Sequence, residues 1–598
     1  MLPSWGIDRL KVGALPVLLA VSCSAVIGFA LTRPTMPAGV HDSDSALYIV
    51  EAISLEQTSP WDARPEWNTL VRLAVLPWGG LHVVLLKIGL WLSGPSPDPC
   101  EFRAGSLYGF WCAVGVASIL IAAVLGGLLA GRWGAVMASA FVAASVPHVR
   151  MYTQFNQIGT TAFFSLLLLT AGAWRASCPG RTSSAIGLGL IGFLYPFADN
   201  MALVMWLAFP VYLWLVLPHP DRRGFVRAIA PYAIGSSLAI AGMTCLIGLR
   251  WATRATVYDC TLIHLLGRAT SIVSRPTHAL LAGGTAAVTL RTAASLLGTG
   301  GVVAVVMAAL YAAARVRRRR DLCLVPVALA CTVPLLFVPP HATLVGEYLQ
   351  PGLQLVLLAT GVIAAHLWST TGGDAKWILP GRIASVACLV LMLLSARGAA
   401  RSASRSEAGE TWATLGRELS TLPVDTVIAS TTEEEVGILY TGRRILTRND
   451  TLPTDLVPFF EAWPGRIDYL VIRPSDQNQF ADVIARHRLR LIDTASDAGR
   501  DEWSVFGLPA GGPGGGRAVL SRVDANCWRQ PYIPYSFDAG WRYAPGSVLR
   551  TWSTAGFLLG DPRLWVEWSQ ATRLPYARFA KTTPVTQPPS LPAAPGPP

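Results

Sequence analysis

Apolar runs of membrane-crossing length alternate with short polar loops from Val12 to Ala396. A bilayer core of about 30 Å takes about 20 apolar residues of helix, and charges inside such a run are costly. The pattern therefore predicts a polytopic all-α membrane domain of about eleven helices over residues 1–400. The first run, Val12 to Leu31, follows Arg9 and Lys11 and is read as a retained helix rather than a signal peptide, since it is long and no small-x-small cleavage site precedes His41.

Loop charge orients the bundle. Arg222, Arg223 and Arg227, and the run from Arg315 to Arg320, mark cytoplasmic loops by their basic excess. Counting outward from them places the N-terminus inside and the tail beyond Arg397 outside. Residues 33–105, Pro147 to Gln157, Arg250 to His278 and His341 to Gln350 then become outer segments. Within 33–105 the stretch Leu70 to Leu92 is apolar but carries Arg72, Pro77, His82 and Lys87, and is interrupted by Trp78, Gly79 and Gly80. It reads as an amphipathic helix at the outer surface.

The pattern changes after residue 400. Asp425 to Ser430, Val436 to Leu446, Ile467 to Arg473 and Arg488 to Asp493 read as short strands, with a helix over Asp476 to His487. These predict a small C-terminal extracytoplasmic α/β domain over 401–510. A glycine-rich linker at 511–516 leads to a Trp-rich module at 517–580, and 581–598 is a Pro-rich tail expected to lack structure.

Composition narrows the class. The chain has 598 residues, of which 52% are hydrophobic and only 14% charged, and its mean hydropathy is +0.44. A soluble domain does not reach such values. The net charge of +12 is accounted for by cytoplasmic loops, so no nucleic-acid partner is implied. The ten cysteines are scattered, with no C-x-x-C pair, which excludes a zinc ribbon or a disulfide framework.

The segment His41-Asp42-Ser43-Asp44-Ser45-Ala46-Leu47-Tyr48 holds the chemistry. Two acids just beyond the first helix stand where a general base could meet a lipid-borne substrate at the membrane edge. The same residues would also serve as a helix cap, with Ser43 or Asp44 closing a helix whose apolar positions are Ala46, Ile49, Val50 and Ile53.

An acid in the first outer loop followed by Tyr four residues on resembles the polyprenyl-phosphate-sugar-dependent GT-C glycosyltransferases. These include the protein-mannosyltransferase and lipid A aminoarabinose-transferase type. Asp44 and Tyr48 align with that family's pattern, while Ser45 stands where Glu is usual and Asp42 would supply the second acid. Leu76-Pro77-Trp78, Gly94 and Arg103-Ala104-Gly105-Ser106 match its surface helix and the opening of its second span. Glu347-Tyr348-Leu349-Gln350-Pro351 matches a late motif in which Arg is usual at the first position.

The resemblance implies a GT-C fold over residues 1–400, a polyprenyl-phosphate-sugar donor entering from the bilayer, and an extracytoplasmic acceptor. It makes Asp44 the base with Asp42 assisting, in an inverting displacement. Arg103, Arg150, Tyr152, Arg250, Arg254, Arg268 and Arg275 become candidate holders of the donor phosphate, because guanidinium groups bind phosphate oxygens in pairs. Tyr48, His41, Glu347 and Tyr348 would line the pocket. A divalent ion such as magnesium or manganese would suit Asp42 and Asp44, since hard cations take oxygen ligands. A bacterial cytoplasmic membrane is the expected location. A transporter or flippase of lipid-linked sugars, or a non-catalytic envelope scaffold, are the alternatives.

Overall fold

A computed structural model of the chain describes residues 14–33, 43–55, 59–61, 80–92, 104–198, 202–218, 221–251, 285–315, 319–333, 342–369, 375–403, 427–430, 444–446, 467–497 and 500–508, with single positions at 69, 70, 73 and 457. The glycine-rich linker, the Trp-rich module and the Pro-rich tail lie outside the described residues.

The helices, in chain order, are α1 (Ala14–Thr32), α2 (Ser43–Ser54), α3 (Gly80–Leu92), α4 (Ala104–Ala143), α5 (Val146–Thr153), α6 (Gln157–Ser177), α7 (Thr182–Leu194), α8 (Ala202–Val216), α9 (Arg222–Trp251), α10 (Thr285–Arg315), α11 (Leu324–Thr332), α12 (Ala342–Ser369) and α13 (Ala375–Ala403). Among the described residues seven helices are long and apolar enough to cross a bilayer, and α3, α7 with the turn after it, and α8 are shorter apolar helices. The chain is a multi-pass membrane protein. Leu15, Leu18, Leu19 and Val26 on α1, and Ile383, Val390 and Leu394 on α13, remain exposed, as a lipid-facing surface requires.

Helix α4 is two helices joined at a sharp reversal. Ala130 leaves helical geometry and Gly131 takes φ 70°, a conformation that glycine adopts without a Cβ penalty. The second half folds back on the first, so that Gly126 and Gly134 touch through their backbones. The paired halves pack against α1, α6 and α12.

The bundle has two distinct ends. At one, Arg320 Nη2 donates to the Leu128 carbonyl at 2.5 Å and to Ser177 Oγ at 3.3 Å. Beside it, Arg175 donates to the Pro179 carbonyl at 2.5 Å and the Arg227 carbonyl at 3.4 Å. Leu128 closes the first half of α4, so Arg320 satisfies a carbonyl where that helix ends and the macrodipole is negative. At the opposite end α5 lies across the bundle, with Val146 and Val149 sharing a buried cluster with Leu31 of α1 and Ala396 and Ala400 of α13.

The C-terminal residues form a mixed five-stranded sheet of β1 (Val427–Ser430), β2 (Arg444–Leu446), β3 (Tyr469–Ile472), β4 (Arg490–Asp497) and β5 (Arg500–Gly507) in the order β2-β1-β3-β5-β4. β1 pairs parallel with β2 and β3, and β5 antiparallel with β3 and β4. Strand β5 is additional to those expected from sequence, and the expected helix shortens to α14 (Ala481–His487) after a 3-10 turn at Pro474–Asp476.

Alternation in the strands gives the sheet two apolar faces. Ala429, Leu470, Ile472 and Phe506 pack with Phe480 and Val483 next to and within α14. Ile428, Tyr469, Val471, Trp503 and Val505 join the same buried cluster as Tyr48 of α2, Val83 and Leu86 of α3, and Trp111 of α4. The sheet therefore sits at the α5 end of the bundle, opposite the arginine end.

Candidate functional site

The α5 end gathers the first-loop helices around a single turn of chain. α5 opens with Ser145 as its cap, the Ser145 Oγ accepting from the His148 N–H at 3.2 Å, and α6 opens with Asn156, whose Oδ1 accepts from the Ile158 N–H at 3.1 Å. Between them the carbonyls of Met151, Gln154 and Phe155 are left without helical partners. Two side chains from elsewhere take them. Trp111 Nε1 on α4 donates to Gln154 O at 2.7 Å and Met151 O at 3.2 Å, and His82 Nε2 on α3 lies 2.7 Å from Phe155 O.

The His82 tautomer follows. A carbonyl only accepts, so Nε2 carries the proton, and Nδ1 accepts from the Thr160 hydroxyl at 2.8 Å. Burial holds His82 down to about 4 from the usual 6.5, so the imidazole is neutral. Its ring meets Tyr48 of α2 edge-on at 4.9 Å and Trp111 at 5.0 Å. His82, Trp111 and Thr160 are fully buried and Tyr48 nearly so.

Helix α2 carries Asp44 at its second position and Tyr48 one turn later, and residues four apart share a helix face. Asp44 is thus set one turn from the Tyr48–His82 contact. The side chain of Asp44 lies outside the described residues, as do His41, Asp42 and Arg103 entirely. The same holds for Arg254, Arg268 and Arg275. Arg250 stands in the last turn of α9 and Glu347 in the first turns of α12, their side chains likewise not described. Tyr348 is half-buried and packs with Leu349 and Leu353.

Of the expected phosphate holders, Arg150 is exposed in the last turn of α5. Tyr152 takes a different part from the one expected. It is fully buried, and its hydroxyl is 2.5 Å from Ser118 Oγ and donates to the Gly159 carbonyl at 3.0 Å, so it packs α5 onto α4 and α6 rather than presenting an oxygen to a ligand. Burial raises its pKa further. His148 is also fully buried, its Nδ1 3.3 Å from Gln354 Nε2 of α12 and its ring 4.8 Å from the Tyr152 ring. Among the described residues no group of three or more His, Cys, Asp or Glu could hold a metal ion; the Asp42–Asp44 pair lies outside that set.

Sequence reading missed the structural role of His82, Trp111 and Thr160. The available signal was a histidine inside an apolar run, which needs hydrogen-bond partners when buried.

No family model matches the sequence, and no curated protein sequence does. Solved structures do match. The chain superposes on ArnT from Cupriavidus metallidurans bound to undecaprenyl phosphate with a TM-score of 0.50 and 13% identity, over 84% of this chain and 99% of that one. It superposes on the apo oligosaccharyltransferase of Archaeoglobus fulgidus with a TM-score of 0.52 and 12% identity, over 79% of this chain and 71% of that one.

The chain shares the fold of these two solved structures. In this fold the α5 end, roofed by α2, α3 and the sheet, is where α2 with Asp44 and Tyr48 and α5 with Arg150 come together. At these identities the likeness concerns the fold alone.

Proposed function

We propose that the protein is a membrane glycosyltransferase that moves a sugar from a polyprenyl-phosphate donor to an extracytoplasmic acceptor. The observation that carries this reading is the placement of Asp44 on α2, one turn from a Tyr48–His82 contact that ties the first loop to the α4–α6 scaffold. The ArnT structure with undecaprenyl phosphate, similar in fold, supports a lipid-phosphate donor.

The arginine end faces the cytoplasm by the positive-inside rule. The α5 end and the sheet are then extracytoplasmic. The donor's lipid tail stays in the bilayer, and its phosphate meets cations at the outer edge, of which Arg150 is the exposed example. Asp44 removes the proton from the attacking acceptor hydroxyl as the bond from the anomeric carbon to the phosphate oxygen breaks. Asp42 assists, and the lipid phosphate leaves with the bonding pair toward Arg150 and the outer arginines. One displacement inverts the anomeric centre.

The test is turnover. Purified protein in nanodiscs is mixed with a panel of polyprenyl-phosphate sugars and an envelope extract as acceptor, and release of polyprenyl phosphate is followed by phosphorus NMR. Wild type is expected to release it, and Asp44→Asn, checked for folding by size exclusion, to lose at least about a hundredfold in rate. A panel on which wild type releases nothing would favour the scaffold or transporter alternative.

A further inference from the structure

We infer that His82 is a positioning residue that fixes the first-loop helix α2, and with it Asp44, against the α4–α6 scaffold. The inference rests on the proposed glycosyl transfer for its kinetic consequence and on geometry alone for its structural one.

Among the described residues, contacts with α3 and with the buried cluster around Trp111 set where helix α2 stands. The described chain of contacts runs from Tyr48 on α2 to the His82 ring at 4.9 Å, then from His82 to Phe155 O at 2.7 Å and Thr160 Oγ1 at 2.8 Å. Trp111 backs the same ring at 5.0 Å and caps the same turn of chain. Both ring nitrogens are therefore committed, one as donor and one as acceptor, to two points of a rigid turn. An apolar side chain would fill the volume but leave the Phe155 carbonyl and the Thr160 hydroxyl buried without that partner. The ring would lose its fixed orientation, and Tyr48 its fixed platform.

A general base must reach its proton within about 3 Å, and a displacement of about 1 Å remote from the chemistry can cost about a hundredfold in rate. Loosening α2 should therefore lower kcat while leaving donor binding, which depends on cations elsewhere, nearly unchanged.

The experiment uses the full-length protein in nanodiscs and four variants: His82→Leu, His82→Gln, Thr160→Val and the His82→Leu/Thr160→Val double. Two readouts are taken, steady-state kinetics with a polyprenyl-phosphate sugar and amide hydrogen exchange over residues 43–54. His82→Leu is expected to lower kcat by about 30- to 100-fold with donor KM within about twofold, and to speed exchange in α2 but not in α6. His82→Gln keeps a donor for Phe155 and should recover part of both. Thr160→Val should be mild alone and add nothing in the double variant, because its partner is already gone. Unchanged exchange in α2, a kcat equal to wild type, or additive effects of the two substitutions would each overturn the inference. Should wild type turn over no donor, the functional reading fails, and hydrogen exchange still decides whether His82 holds α2.

Discussion

The backbones of Gly126 and Gly134 lie in direct contact, although eight positions separate them in sequence. Only the reversal at Gly131 makes this possible, since in a straight helix they would stand about 12 Å apart. A Cβ on Gly126 would meet the Gly134 carbonyl and come within 2.6 Å of the Ala138 Cβ, whereas one on Gly127 would stand at 3.5 Å from the Ala135 Cβ, an ordinary contact. Gly126→Ala should thus overpack the hairpin and cost about 1–3 kcal/mol, while Gly127→Ala should be neutral or slightly stabilising through helix propensity. Thermal unfolding of the detergent-purified variants by fluorescence size exclusion distinguishes them. Equal melting temperatures would contradict the hairpin geometry.

The two ends of the bundle should also face opposite compartments. Arg150 on α5 and Arg181 before α7 are both exposed. In whole cells, with all ten native cysteines replaced by Ser, Arg150→Cys is expected to react with a membrane-impermeant maleimide, and Arg181→Cys only after permeabilisation. The reverse pattern would invert the orientation and remove the argument that the sheet lies outside.

Arg150 and Tyr152 should separate kinetically. The exposed guanidinium is available to a phosphate, so Arg150→Ala should raise donor KM by about tenfold, with Arg150→Lys intermediate because an ammonium lacks the paired geometry. Tyr152→Phe removes a buried hydroxyl that bonds Ser118 and Gly159, and should lower stability by about 1 kcal/mol with donor KM unchanged. A Tyr152→Phe enzyme with raised KM and normal melting would restore the expectation drawn from sequence.

Acid should loosen the first loop. His82 is held at about 4 in the folded protein against 6.5 when free. Between these values the opened loop binds a proton that the closed loop refuses, so closure is fully stable above pH 6.5 and weakens as pH falls toward 4. Among the described residues the groups facing His82, namely Tyr48, Trp111, Thr160 and the Phe155 carbonyl, carry no charge in this range. Exchange of α2 amides, corrected for intrinsic rate, should rise up to about tenfold per pH unit within this window, and His82→Leu should abolish that slope. An identical slope in the variant would assign the effect to another group.

The helical architecture was legible because bilayer length and loop charge are written in long stretches of sequence. The turn at Gly131 was less so, since one glycine among many carries no mark of its φ. Strand β5 was hidden by Arg500, Asp501 and Glu502, which break the apolar alternation of Trp503 and Val505 until β3 and β4 are in place to pair with it. At the site, the Asp44–Tyr48 spacing could be read directly, as a helix repeats every turn. The His82–Phe155 and Trp111–Gln154 bonds could not, because they join residues 73 and 43 positions apart, and pairings at such separations are set by packing alone. The burial of Tyr152 was hidden for the same reason: its outer position in sequence does not reveal that its ring turns inward.

Glycosyl transfer as proposed requires a lipid-phosphate sugar donor to be taken at the end of the bundle formed by α2, α3 and α5. A diazirine-bearing polyprenyl-phosphate sugar, photolysed with the protein in nanodiscs and mapped by mass spectrometry, addresses it most directly. Labelled peptides are expected from residues 43–54, 80–92 and 146–153, competed away by excess undecaprenyl phosphate. Labelling confined to the lipid-facing helices α1 and α13, or unaffected by the competitor, would contradict it.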